Sequence, residues 1–309
     1  MSELDPLGAA KGVISVAGEV VKLAKENPDA REAASYAAKS AKVVMETIHT
    51  VLLPLAAVNY GARKAHDYFV NKFGDDLSEK LVLRVPAEDV VEPKASIAGP
   101  ALQGLAFSHE ESELREMYLE LLAAAMDGRD VHAAHPAFVD VIKQLTAEEI
   151  PWLQRIIGSG GMLPLVEIRA LPHAGANSFE VIATDVVKLT DETGVQVEDP
   201  AMQVAMINWI RLGLMERTYS RSVAQEAAYS WLSESPVYVR AKTQIGAMEV
   251  KLDDGGSTDG AVIETKLGVL NVTPFGAAFG AAVGMRPAAV VGDSPDAAPS
   301  APNLVDLDA

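Results

Sequence analysis

The sequence predicts a mainly α, α+β protein. It comprises an N-terminal helical hairpin with a proline-kinked helix, a central helical domain, and a C-terminal winged-helix-like unit with an insertion. Three observations predict this. Hydrophobic residues make up 49% of the 309 and aromatics only 6%, a composition suited to aliphatic, helical packing. Apolar residues in the first half recur at helical spacing. The second half reads helix, strand, helix, helix, strand, long insertion, strand, helix.

Taken in order, Leu7, Val13, Ile14, Val16, Val20, Val21 and Leu23 form one stripe, and Asn27-Pro28-Asp29 breaks that helix and caps the next. A second helical region runs from about Arg31 to Phe73, with Pro54 expected to kink it. Within it the uncharged run from Thr47 to Ala62 is 16 residues long. A spanning helix needs roughly 20 apolar residues, so no constitutive transmembrane helix is expected. A buried core helix, or a surface that meets a partner or a membrane after a trigger, fits instead.

Pro86 to Pro100, with three prolines and Gly99, is expected to be an extended connector. The helix at Glu113–Asp127 follows, with Glu110, Glu111, Glu113 and Glu116 expected in its first turns, where the helix dipole favours anions. Pro136 sits at a first helical turn, and Phe138, Val141, Ile142 and Leu145 share one face. Thr146-Ala-Glu-Glu149 is a capping-box pattern that opens the helix carrying Trp152, Leu153, Ile156 and Ile157, which Gly158-Ser-Gly-Gly161 closes.

Leu165-Val-Glu-Ile-Arg169 alternates as a strand, while Phe179 to Lys188 fits either a helix or a strand. Pro200 to Leu212 is a helix closed by Gly213. Leu214 to Tyr219 and Glu264 to Val272 read as paired strands, and Thr273-Pro274 caps a last helix. The insertion, 220–262, carries a helical patch around Gln225–Trp231 and a Gly- and Asp-rich tip. The expected boundaries are therefore 1–80, 81–158 and 159–285, followed by an acidic tail, 286–309, rich in Pro, Ala, Asp and Ser and expected to be disordered. Its Asn303-Leu-Val-Asp-Leu-Asp-Ala309 motif is expected to be passive rather than docked.

Charge and composition narrow the function. The formal charge is −17, a field that repels nucleic acid and anionic lipid at long range. No cysteine is present, which excludes disulfides, thiolate metal sites and cysteine nucleophiles. Met1-Ser-Glu-Leu-Asp lacks the basic start of a signal peptide, so a cytoplasmic location, possible also at the periphery of the inner membrane, is expected. There is no Gly-Lys-Ser/Thr phosphate loop, and Gly158–Gly161 leads away from a helix rather than into one. No catalytic residue, metal ligand or cofactor is assigned. His132 and His135, with Asp127 and Asp130, offer a metal-dependent hydrolase as a weaker alternative, but the group falls on a loop, and His135 beside Pro136 fits a hydrogen bond at the start of the helix.

Several ordered motifs carry a resemblance. Asp89-Val-Val-Glu-Pro93, Ile97-Ala-Gly-Pro-Ala-Leu-Gln-Gly-Leu105, the helix Glu113–Asp127 and His135–Leu145 occur in that order. Leu53–Gly61 and Lys64–Tyr68 precede them, and Ile207–Met215 and Val272–Phe279 follow. This order resembles the Abi-alpha (abortive infection alpha) family, a bacterial family of unknown biochemical function; the insertion departs from it. The resemblance implies a role in antiphage defence and supplies no catalytic set. The expected function is a non-enzymatic protein acting by protein–protein contacts, self-association, or triggered membrane association. Leu52, Leu53, Leu55 and Val58 are the expected interaction or membrane surface. The alternative is a winged-helix DNA-binding regulator, with Gln203, Asn208, Arg211 and Arg217 as the contacts.

Overall fold

A computed structural model describes residues 61–130, 132–158, 162–190, 195–196, 198–251, 257–285 and 304–306. Leu52, Leu53, Leu55, Val58 and the Pro54 kink lie outside the described residues, as does most of the tail. The chain forms two compact units: Met1–Gln154 with Ala278–Arg286, and Arg155–Ala277 with Pro287–Ala309.

The first unit is helical. Its helices are α1 (Gly61–Asn71), α2 (Phe73–Arg84), α3 (Ala95–Ser108), α4 (Ser112–Ala125) and α5 (Pro136–Ile142). Helix α6 (Ile150–Gly158) begins in this unit. Aromatic edges pack at one end of the core, Phe69 against Phe73 at 5.1 Å and Tyr68 against Phe73 at 6.3 Å. Elsewhere Phe138 meets Phe279 edge-on at 5.6 Å. Leu81, Leu102, Leu105, Met117 and Leu121 are buried and give this unit aliphatic core volume. Arg84 donates to the carbonyls of Ala281 (3.2 Å) and Ala282 (3.4 Å), a cation on the last turn of a helix, where the backbone dipole favours it.

Two expectations are corrected here. The connector is shorter than Pro86–Pro100, because α3 starts at Ala95 and holds Gly99 and Pro100 inside it. Proline removes a helical N–H and so costs helix stability. Burial of Ile97, Ala98, Ala101, Leu102 and Leu105 on one side of α3 offsets that cost. What remains extended, Val90–Val91, pairs with the backbone after α4: Val91 N–H donates to Met126 O (3.0 Å) and Gly128 N–H to Asp89 O (2.9 Å). Of the glutamates expected in the first turns of α4, Glu113 and Glu116 lie there, while Glu110 and Glu111 precede the helix, which starts at Ser112.

The local signals after α4 fold as their chemistry dictates. His135 caps α5, its Nδ1 accepting from Ala137 N–H at 3.1 Å, with Pro136 at the first helical position. Thr146 and Glu149 form the reciprocal capping box, Thr146 N–H donating to Glu149 Oε1 at 2.6 Å.

The second unit is built on a four-stranded antiparallel sheet, β2-β1-β7-β3 in spatial order, curled into a half-barrel. Its strands are β1 (Met162–Leu171), β2 (Glu180–Val187), β3 (Met215–Thr218) and β7 (Val262–Val272). Val166 faces Leu267 across β1 and β7, and Met215 faces Val272 across β3 and β7. Within Phe179–Lys188, Glu180–Val187 is thus resolved as strand, where the winged-helix order needs a helix. The register of β1 against β2 slips on either side of Ile168, which bends the hairpin.

Helix α7 (Pro200–Arg211) precedes β3 and ends at Gly213 in the left-handed region, φ +74°. Thr273 caps α9 (Pro274–Ala282), its Oγ1 accepting from Gly276 N–H at 2.9 Å. The insertion supplies β4 (Arg221–Val223), a 3-10 segment at Glu226–Glu234, α8 (Pro236–Gly246) and a small hairpin, β5 (Glu249–Lys251) with β6 (Ser257–Asp259). Tyr229, Trp231, Leu232, Ala241 and Ile245 from this insertion pack on Val166, Ile168, Val186 and Val269 of the sheet. Tyr229 Oη pins the two together, accepting from Val223 N–H (3.0 Å) and donating to Gly268 O (2.8 Å). The tail expectation is corrected at three residues. Leu304–Asp306 forms β8 and pairs antiparallel with β4.

Candidate interaction site

The buried side of α7 is Met202, Ala205, Met206 and Trp209, a period of three and four that turns this stripe to the core. The same geometry turns Val204 and Ile207 outward, 70% and 60% exposed, one helical turn apart. Both are β-branched, which helices disfavour, and neither gains from burial within the chain. Together they put an exposed apolar pair on the outer face of α7. Gln203 and Arg211 are exposed on the same helix.

The start of α7 is held by Asp199, whose carboxylate accepts from Ala201 N–H at 2.9 Å, followed by Pro200. This turn, the edge of β2 and the first turn of α8 line a cleft of about 450 Å³. Asp185 sits in its wall, 5% exposed and at φ +55°. Aspartate enters the left-handed region more readily than most residues, yet the conformation is strained and needs support. Two residues, Arg217 and Tyr219, support it through three contacts. Arg217 Nη1 pairs with Asp185 Oδ2, and Tyr219 Oη donates to Asp185 Oδ1 at 3.1 Å. Asp185 N–H in turn donates to Tyr219 Oη at 3.1 Å. Burial, the largest cause, pushes the Tyr219 hydroxyl up to about 12, so it stays a neutral donor. At the mouth, Arg240 pairs with Glu198 at 2.9 Å.

The residues expected to touch DNA fall on two elements, Gln203, Asn208 and Arg211 on α7 and Arg217 on β3. Gln203 is exposed on α7. Asn208 is half-buried and its Oδ1 accepts from Arg211 Nη2 at 2.6 Å. Arg217 lies on β3 with its guanidinium on Asp185. His132 and His135 stay on the loop before α5 and at its cap. His132 N–H donates to Asp130 Oδ1 at 2.9 Å, and among the described residues no three His, Asp or Glu side chains are grouped as metal ligands.

Sequence reading missed Val204, Ile207 and Asp185. The first two were available: placing Met202, Ala205, Met206 and Trp209 inside α7 forces Val204 and Ile207 outside. Asp185 carried no such signal, since its conformation follows from strand pairing and from Arg217 and Tyr219, both more than thirty positions away.

A family model described as abortive infection alpha matches residues 65–283. No curated protein matches the chain. No solved structure does.

Proposed function

Because this chain belongs to the abortive infection alpha family, we propose that it is a non-enzymatic antiphage defence protein acting by protein–protein contact, with the outer face of α7 as the contact. The exposure of Val204 and Ile207 carries this reading. An apolar face suits a protein partner or a second copy of the chain, whereas phosphate contacts need unpaired cations. Arg217, one of the cations a DNA-binding reading would use, is neutralised on Asp185. The winged-helix-like reading enters here in a narrow form. Helix α7 followed by β3 and β7 keeps part of that order and is used as an interaction module, with the β1–β2 hairpin standing where a winged helix has a helix.

The test is phage challenge of bacteria carrying the full chain or the double variant Val204→Asp with Ile207→Asp. Both positions are exposed, so the variant should keep its far-ultraviolet spectrum and unfolding midpoint while protection falls. Undiminished protection by a folded variant would sink the α7 contact. Sedimentation of the same two proteins separates self-association from a second protein.

A second reading is favoured by the uncharged run Thr47–Ala62. Here the apolar segment with Leu52, Leu53, Leu55 and Val58 meets the inner membrane after a trigger. Among the described residues no helix is long and apolar enough to cross a membrane. Leakage from anionic vesicles that is unchanged by Leu53→Asp with Leu55→Asp would remove this reading.

A further inference from the structure

The helical unit holds a cleft of about 650 Å³ between α3, α4 and the segment from the end of α5 to the capping box. That volume falls in the range of small-molecule sites, which are mostly apolar with a few placed polar groups. Leu114, Ile142 and Leu145 supply apolar lining. Two independent observations separate this cleft from an ordinary surface groove.

The first is Tyr118. It is 2% exposed and lines the cleft, with its hydroxyl end against Gly104, which also lines it. A Cβ at position 104 would lie 2.3 Å from Tyr118 Oη. The glycine therefore leaves the room that lets the phenol reach the cleft. Buried tyrosine hydroxyls usually find a protein partner. This one makes no hydrogen bond among the described residues, although Ser108 Oγ beside it donates to Gly104 O at 3.0 Å. Burial, with Asp140 adding to it, holds the phenol far above its ordinary value, so it remains a neutral donor.

The second observation is Phe107, which lines the same cleft and is 64% exposed. The buried side of α3 is formed by Ile97, Ala98, Ala101, Leu102 and Leu105, so Phe107 contributes little to that core. Its ring stands as an open wall on which another ring can stack.

We propose that this cleft binds a small, uncharged aromatic compound bearing a hydrogen-bond acceptor, its ring against Phe107 and its acceptor on the Tyr118 hydroxyl. The site makes the ligand uncharged for a physical reason. Its buried polar group is neutral, and the exposed charges that line it, Glu111, Lys143 and Glu148, are of mixed sign. Nothing in this assignment depends on α7 or on the protein contact proposed above.

Benzamide is a suitable probe, since it joins one ring to one carbonyl acceptor. It is titrated into the full chain by saturation-transfer NMR, with cyclohexanecarboxamide as the non-aromatic counterpart. Saturable benzamide binding is expected, weakened about fivefold by Tyr118→Phe, the loss for one neutral hydrogen bond. Because the hydroxyl has no hydrogen-bond partner among the described residues, that variant should unfold at the wild-type denaturant concentration. Phe107→Ala should weaken benzamide more than cyclohexanecarboxamide. Absence of saturable benzamide binding by the wild type overturns the proposal, as does equal binding by a stable Tyr118→Phe. If Tyr118→Phe proves unstable, the exposed Phe107→Ala decides: undiminished benzamide binding by it overturns the proposal.

Discussion

At the residue scale, Asp127 shows how one local pair makes stability depend on pH. It is nearly buried after α4 and accepts from Arg129 Nε and Nη2, both at 2.8 Å, and from Arg129 N–H at 3.1 Å. The Arg129 side chain, outweighing the opposing effect of burial, holds the Asp127 carboxyl below its ordinary value. A depressed carboxylate contributes stability above its unfolded value, about 3.9, and loses that contribution as pH falls through the folded one. Asp127→Asn should therefore be less stable than wild type at neutral pH, with the gap closing as pH drops below about 4. Urea unfolding midpoints measured across that window test it, and a gap independent of pH would contradict it. Gly104 belongs to the same scale. Gly104→Ala forces a methyl group into the Tyr118 ring and should cost roughly 1–3 kcal/mol, read from the same midpoints. A neutral result there would mean that the ring moves freely.

At the element scale, helix boundaries set by neighbouring residues were legible and those set by distant packing were not. Thr146 with Glu149, Asp199 with Pro200, and Thr273 with Pro274 carry their caps within three or four residues; the latter two open their helices directly, while Thr146 caps a 3-10 turn, Ala147–Glu149, that runs into α6 at Ile150. Pro100 misled because its local cost is real but is outweighed by the core on one side of α3. It follows that Pro100→Ala should stabilise the chain, by roughly 1–3 kcal/mol, since it restores a helical N–H at a position that is only half-buried. Chemical denaturation checks this, and destabilisation would show that the proline ring itself packs. Phe179–Lys188 was ambiguous for a related reason. Its apolar residues suit both periods, and only pairing of Val181 with Arg169 and of Val187 with Leu165 decides for strand. The exposed pair on α7 was legible in principle, because the buried stripe of a helix defines its outer face.

At the scale of the whole molecule, contacts distant in sequence carry most of what is new. Strand β4 pairs with residues more than eighty positions further along the chain, Ser222 facing Val305. Deleting residues 301–309 should accordingly raise amide hydrogen exchange in Arg221–Val223 and leave exchange in β1 and β7 unchanged. Unchanged exchange in β4 would argue against that pairing in solution. Family membership was readable from motif order alone, through Asp89–Pro93, Ile97–Leu105 and the segments that follow, and so was most of the helical plan. The sequence by itself determined these because periodicity, caps and motif spacing are local and survive without knowledge of the partner. Only the tertiary structure decided that Glu180–Val187 is a strand, that Asp185 takes a left-handed backbone under Arg217 and Tyr219, and that the Tyr118 hydroxyl lies against Gly104 where both residues line a cleft. Each of those depends on groups brought together by packing across long stretches of chain, and no pattern within a single element encodes that packing.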